Sequence, residues 1–81
     1  MQKYKIDILN YRDNGSVKSD CSDITFVNTG ATTLLINGAL SLAPGQSISF
    51  NANYNEIDQT IYYYSFPANV GSVTIFRKVY I

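Results

Sequence analysis

The chain has 81 residues, with six basic and six acidic side chains, one cysteine and no histidine. This length predicts a single domain over residues 1–81 with a thin hydrophobic core. One cysteine excludes an internal disulfide, and the lack of histidine argues against a zinc site, so we expect no cofactor and no metal. The zero net charge without a basic stripe argues against nucleic acid as a partner. No apolar run reaches the ~20 residues of a membrane span, so a membrane is not expected as a partner either.

The chain begins with an alternating segment and continues into a polar one. Residues 4–9, YKIDIL, place the tyrosine and both isoleucines on one face and the lysine and aspartate on the other. This period of two is typical of a half-buried strand. Residues 10–22 are polar and include Val17 as their only aliphatic residue, so a loop is predicted. A weak hairpin around Asn14-Gly15 is the alternative.

The turn residues of the segment from 24 to 50 predict its strands most directly. The segment reads ITFVNTGATTLLINGALSLAPGQSISF. Asn37-Gly38 is the strongest type I′ hairpin signal in the chain, and Pro44-Gly45 fits the two central positions of a type II turn. The strands predicted here are 23–28, 32–37, a short piece at 40–42, and 46–51.

The C-terminal part predicts two further strands and completes the fold class. Residues 56–64 alternate in the manner of a strand, which Pro67 would end. A last strand from about 70 or 73 to 81 has an aliphatic face interrupted by Arg77. No window shows the helical spacing i, i+3, i+4 and i+7. Six or seven short strands predict an all-β fold, a small antiparallel β-sandwich of jelly-roll or immunoglobulin-like type, with a small β-barrel as the alternative.

No arrangement of side chains in the sequence fits a catalytic site, and we expect that the protein is not an enzyme. Cys21 lies close to Asp20 and Asp23, whose negative charges raise a thiol pKa rather than lower it. Glu56 and Asp58 share one face of a predicted strand, most simply a solvated face. Without histidine, the usual base for activating a serine or cysteine nucleophile is missing.

Apolar side chains in the C-terminal part exceed what one small core would absorb. Three consecutive tyrosines followed closely by Phe66 must place aromatic rings on both faces of a strand. Tyrosine and phenylalanine are enriched in protein interfaces, so the excess predicts a contact surface. The predicted interface residues are Tyr62, Tyr64, Phe66, Phe76, Tyr80 and Ile81. The alternative is that the tyrosines lie flat on the sheet with their hydroxyls in water.

The asparagine-rich connection after the strand 46–51 suggests a different function, ligand binding. Its candidate residues are Asn51, Asn53, Tyr54 and Asn55. A tyrosine ring would stack on a sugar while the amides hydrogen-bond its hydroxyls. On this alternative the chain is a carbohydrate- or ligand-binding β-sandwich module.

The turn motifs of the segment from 24 to 50 also carry a resemblance. They are Phe26-x-Asn28-x-Gly30, Ile36-Asn37-Gly38 and Leu42-x-Pro44-Gly45-x-Ser47-x-x-Phe50. This pattern resembles small β-sandwich proteins of bacteriophage virions, such as decoration, head-fibre and adaptor-like proteins. The resemblance implies a non-enzymatic structural protein whose partners are itself, as a homo-oligomer, or other virion proteins.

The same resemblance implies a location and assigns no site. The protein would be part of the virion, assembled in the host cytoplasm, with a cytoplasmic location as the alternative. The matching positions are turn and core residues, so no functional residue is transferred from that family. A small phage-encoded inhibitor or anti-defence protein remains a third interpretation.

Overall fold

Eight strands make up the computed structural model, which describes residues 3–53 and 56–81. In chain order they are β1 (Tyr4–Tyr11), β2 (Gly15–Lys18), β3 (Asp23–Asn28), β4 (Leu34–Ile36), β5 (Leu40–Leu42), β6 (Ser47–Asn51), β7 (Ile61–Ser65) and β8 (Val73–Tyr80). Over the described residues, no helix long and apolar enough to cross a membrane is present.

The strands form two four-stranded antiparallel sheets that pack face to face. One sheet has the order β1-β8-β3-β6 and the other β2-β7-β4-β5. Every connection except the β4–β5 hairpin crosses from one sheet to the other. This order is that of the jelly roll, the double-sheet architecture built from Greek keys. The predicted antiparallel β-sandwich is therefore confirmed, with eight strands instead of six or seven.

Both turns predicted from local sequence form as expected. Asn37 and Gly38 have φ of 54° and 67°, and two successive positive φ values are what a type I′ turn requires. Gly45 has φ of 84°, and the Gln46 N–H donates to the Ala43 carbonyl across 3.0 Å, as in a type II turn. The first of these turns connects β4 to β5, and the second lies between β5 and β6.

The side chain of Asn28, at the end of β3, is buried and hydrogen-bonds to backbone groups of other segments. Its side chain is 1% exposed, and its Nδ2 donates to the carbonyls of Thr32, across 2.8 Å, and Leu42, across 2.9 Å. Its Oδ1 accepts the N–H of Gly30 across 3.1 Å. The amide thus satisfies three backbone groups and ties β3 to the following loop and to β5.

One hydrophobic core lies between the two sheets. Its buried members are Val17, Cys21, Ile24, Phe26, Leu34, Ile36, Leu42, Tyr62, Tyr64, Phe66, Val73 and Ile75. The ring of Phe26, from one sheet, meets Tyr62, from the other, edge-on with centroids 5.4 Å apart. Phe50 stacks on the same tyrosine at 4.9 Å. Aromatic contacts across the layers therefore fill much of this small core.

The prediction of a loop over residues 10–22 was wrong. β1 continues to Tyr11, and β2 pairs with β7 along Gly15–Lys18. β2 contributes one buried side chain, Val17, while its neighbours face solvent, so its sequence carries almost no apolar alternation. The Asn14 side chain fixes the preceding turn by accepting the Phe66 N–H across 2.8 Å.

The predicted strand over 56–64 begins later than expected, at Ile61. Before it, Asp58 forms an isolated bridge with Cys21. The Asp58 carboxylate accepts the Thr60 N–H across 2.9 Å, a local bond two residues along the chain. Such bonds from aspartate to the nearby backbone compete with an extended ladder, so the strand starts after the turn.

Candidate interaction surface

The structure reverses the predicted faces of β7. Tyr62, Tyr64 and Phe66, predicted as interface residues, are buried in the core with at most 6% of each exposed. Ile61 and Tyr63 occupy the outer face of this strand instead. The structure therefore corrects the prediction that Tyr62, Tyr64 and Phe66 form a contact surface. Their rings fill the core between the two sheets.

The two buried tyrosines of β7, Tyr62 and Tyr64, have favourable partners for their hydroxyl group and ring. The Tyr62 hydroxyl donates to the Asp58 carboxylate across 2.7 Å, and the Tyr64 ring stacks on Tyr11 at 5.2 Å. Burial, together with the hydrogen bond to Asp58 and its negative charge, raises the pKa of Tyr62 to about 12. Burial also tends to raise the pKa of Asp58. The hydrogen bonds from Thr60 and Tyr62 outweigh burial and leave this pKa below its ordinary value.

β1 is also turned the opposite way from its predicted orientation. The alternation predicted a half-buried strand with its apolar face inside, yet Tyr4, Ile6 and Ile8 are 54%, 51% and 61% exposed. The inner face carries Asp7, whose Oδ2 lies 2.9 Å from Nη2 of Arg77 on β8, and Leu9, which packs on the core. The ion pair and Leu9 occupy the inside, so the two isoleucines and Tyr4 face outward.

These side chains meet apolar residues of β8 on the same outer face. The strand register places Tyr4 opposite Tyr80 and Ile8 opposite Phe76. Phe76 is 36% exposed, and Ile81 just beyond β8 is 71% exposed. We call this set the β1–β8 patch; its members are Tyr4, Ile6, Ile8, Phe76 and Tyr80.

Lys78 lies within the patch, opposite Ile6. Its ammonium group lies 4.7 Å from the centre of the Tyr4 ring and 5.7 Å from that of Tyr80. Both distances are within the range of cation–π attraction. The charge therefore rests on aromatic faces, and the rings are held side by side on the sheet.

Of the six predicted interface residues, Phe76 and Ile81 are exposed, and Tyr80 is half-buried on the outer face of β8. Tyr4, Ile6 and Ile8 were not predicted as interface residues, because an alternating strand ordinarily turns its apolar face toward the core. Asp7 and Arg77 could have indicated which face of β1 is inside, because Arg77 interrupts the inward aliphatic face of β8 and Asp7 is its ion-pair partner. This inference requires knowing that β1 pairs with β8.

The other half of the same face is polar. On β3 and β6 the Thr25 and Ser49 hydroxyls hydrogen-bond across 2.8 Å. A shallow depression of about 230 Å³ lies where the polar and apolar halves meet, and its lining residues are Ile6, Asp23, Thr25, Asn51, Phe76, Arg77 and Lys78.

The depression brings one predicted ligand residue to the patch. Asn51, at the end of β6, lines it together with Phe76. The N–H of Asn53 donates to the Glu56 carboxylate across 2.8 Å, in the connection that follows. Tyr54 and Asn55, the other two predicted ligand residues, lie outside the described residues.

The single cysteine belongs to a buried polar cluster. Its thiol is 0% exposed, lies 3.5 Å from the Ser19 hydroxyl and donates to the Asp23 carbonyl across 3.2 Å. Ser19 in turn donates to the backbone carbonyl of Asp58 across 2.6 Å. Burial raises the pKa of the Cys21 thiol, and nearby Asp58 and Asp23 add to the increase. The arrangement keeps the sulfur neutral and links the β2–β3 connection to the segment before β7.

A second depression, of about 370 Å³, lies at one end of the sandwich between loops. Its hydroxyls are already engaged, since Thr29 bonds Ser72 across 2.9 Å and Thr32 bonds the Val70 carbonyl. Among residues 3–53 and 56–81, no three His, Cys, Asp or Glu side chains lie together as metal ligands would.

Comparison with known proteins found no family model, no curated protein and no solved structure that matches this chain.

Proposed function

We propose that the protein is a non-enzymatic structural protein that assembles through its β1–β8 patch, with copies of itself or with other proteins of a larger shell. The observation that carries this proposal is the grouping of Tyr4, Ile6, Ile8, Phe76 and Tyr80 on one exposed face. Contiguous apolar patches on small proteins mark interaction sites, and aromatic residues are enriched in interfaces.

The charge of the chain supports association. Six basic and six acidic residues cancel, so copies do not repel one another through net charge. The patch itself contains a single charged side chain, Lys78, and its ammonium group lies against two aromatic rings. Depletion of free charge at the centre of a surface is typical of interface cores.

Our more specific proposal is a component of a bacteriophage virion. It rests on the turn-motif resemblance to decoration, head-fibre and adaptor-like proteins. The jelly roll is used by viral capsid domains and also by lectins, so the fold agrees with this proposal without selecting it. Neighbouring genes for capsid or tail proteins would support it.

The assembly proposal is tested by a matched pair of substitutions. Ile8→Lys places a charge in the patch, opposite Phe76, and Ile61→Lys places the same charge on the outer face of the opposite sheet. Both isoleucines are about half exposed, at 61% and 47%, so neither change should unfold the domain. We expect light scattering to show dissociation by Ile8→Lys alone. Equal masses for the two variants and the unaltered chain would contradict self-assembly through the patch.

A second candidate function is glycan binding at the shallow depression beside the patch. The observation that favours it is that the exposed ring of Phe76 and the Asn51 amide line one depression together with Asp23. Sugar sites combine an apolar platform with a few placed polar groups. Glycan-array binding that is lost in Asn51→Ala and kept in Ser47→Ala, on the same strand but outside the depression, would support this function.

A further inference from the structure

β1 is an edge strand with an unused row of backbone groups. It stands first in its sheet, is eight residues long, and contains neither proline nor glycine. The Lys3 carbonyl accepts the N–H of Ile81 across 3.0 Å, so backbone groups of odd-numbered residues point toward β8. Because the direction alternates along a strand, the N–H and C=O groups of Tyr4, Ile6 and Ile8 point to the free edge.

Charged residues on the inner face of the strand restrict which partner can pair with this edge. Lys5 and Asp7 stand on either side of Ile6, and their side chains are 59% and 28% exposed. Charged side chains on an edge strand discourage indiscriminate pairing, because an incoming strand must leave them unmatched. An incoming strand with the opposite charges at the facing positions removes that obstacle.

We propose that β1 pairs antiparallel with β1 of a second copy, with Ile6 opposite Ile6 of that copy. This inference rests on the proposed function and names its partner. In this register Tyr4 faces Ile8 of the second copy, and all these residues direct their backbone groups into the new ladder. Lys5 then faces Asp7 of the second copy twice, once on each side of the two-fold axis.

Charge selects this register over its neighbours. Only shifts that keep even-numbered residues opposite one another preserve the hydrogen bonds. The next shift in one direction sets Lys5 against Lys5, and the next in the other direction sets Asp7 against Asp7. Like charges directly opposite each other destabilise a strand pair, whereas opposite charges stabilise it. The strand is thus complementary to itself about Ile6.

The pairing also explains the exposed apolar face. An antiparallel pair about a two-fold axis perpendicular to the sheet continues that sheet from four strands to eight. The two β1–β8 patches then lie on the same side and adjoin through Tyr4 and Ile8. The dimer therefore presents one doubled apolar surface for further assembly.

Cysteine cross-linking tests the register directly. In the proposed pairing, the two Ile6 Cα atoms are about 5.5 Å apart, within the range of disulfides, whereas the two Ile8 Cα atoms are about 14 Å apart. Ile6→Cys should give a disulfide-linked dimer under mild oxidation, and Ile8→Cys should not. The native Cys21 is buried, so the unaltered chain serves as the background.

The outcomes separate this inference from the proposed function. If Ile8→Cys cross-links and Ile6→Cys does not, the register is wrong. If Ile6→Cys fails to cross-link in a protein that light scattering shows to be oligomeric, edge pairing is overturned while assembly through the patch stands. If the unaltered protein is a monomer at every concentration, both self-association and this pairing are contradicted.

A charge reversal provides an independent measurement. Lys5→Glu sets Glu against Asp7 of the second copy in both contacts and should weaken the dimer roughly tenfold or more. Lys18→Glu is the matched control, because Lys18 is exposed to a similar degree as Lys5 and also has its ammonium group 3.8 Å from an aspartate two residues along the chain, Asp20. An equal loss of affinity in both variants, measured by sedimentation, would overturn the proposed contact.

Discussion

Arg77 and Asp7 form an ion pair of 2.9 Å on the inner side of the sheet. The same guanidinium donates to the carbonyls of Lys18 and Ser19 across 3.2 and 3.1 Å, so it joins β1, β8 and the β2–β3 connection. With Asp7 held inside, alternation sends Ile6 and Ile8 outward. One charged contact inside the sandwich therefore determines which residues of β1 are available to a partner.

Replacing Arg77 by alanine should destabilise the fold by about 2 kcal/mol, because it leaves Asp7 and two carbonyls without their donor. Urea unfolding measures this free energy. Arg12→Ala, which removes an exposed arginine, should change it by less than about 0.5 kcal/mol. Similar losses in the two variants would show that the Arg77 contacts contribute nothing specific.

Asn28→Ala should cost about 2–3 kcal/mol, since it leaves the carbonyls of Thr32 and Leu42 and the Gly30 N–H unpaired. Asn28→Asp should also destabilise the protein, because a carboxylate cannot donate to two carbonyls. Thermal unfolding of both variants is compared with Asn51→Ala at an exposed position. An Asn28→Asp protein as stable as the unaltered chain would contradict the role assigned to Nδ2.

Alkaline pH should destabilise the protein through Tyr62. Its pKa rises from 10.0 to about 12 on folding, so the stability it contributes is present below pH 10 and is lost as the pH rises toward 12. A difference of this size corresponds to about 2–3 kcal/mol. Unfolding at several pH values should show a shallower loss for Tyr62→Phe. A pH dependence unchanged by that substitution would count against this account.

Acid should act through Asp58 with the opposite sign. Its pKa in the folded protein lies below the ordinary 3.8, so its contribution to stability is present above that value and is lost as the pH falls through the folded pKa. Unfolding measured on the acid side should show a smaller loss for Asp58→Asn than for the unaltered chain. Asp20→Asn, at an exposed carboxylate, serves as the control.

Local chemistry made part of this fold predictable, and distant contacts decided the rest. Asn37-Gly38 was predicted as a type I′ turn because positive φ is a property of those residues themselves. The alternation in β1 was equally clear, yet alternation defines two faces without saying which one is inside. That choice depends on Arg77, seventy residues farther along the chain.

The candidate surface was likewise predictable from the sequence only in part. The sequence indicated that apolar residues exceed one core, and the structure moves that excess from Tyr62, Tyr64 and Phe66 to the outer face of β1 and β8. Phe76 and Tyr80 lie on the outer face of β8 because the buried Val73 and Ile75 set its inner face. In β7 both faces carry large residues, so the alternation does not indicate which face is buried.

Sedimentation equilibrium of the unaltered chain, from micromolar to millimolar concentration, measures whether the β1–β8 patch is an assembly surface. We expect a mass that rises with concentration from the 9.0 kDa of one chain to at least twice that value. The rise should disappear in Ile8→Lys and persist in Ile61→Lys. A mass of 9.0 kDa at every concentration would contradict self-assembly through this face.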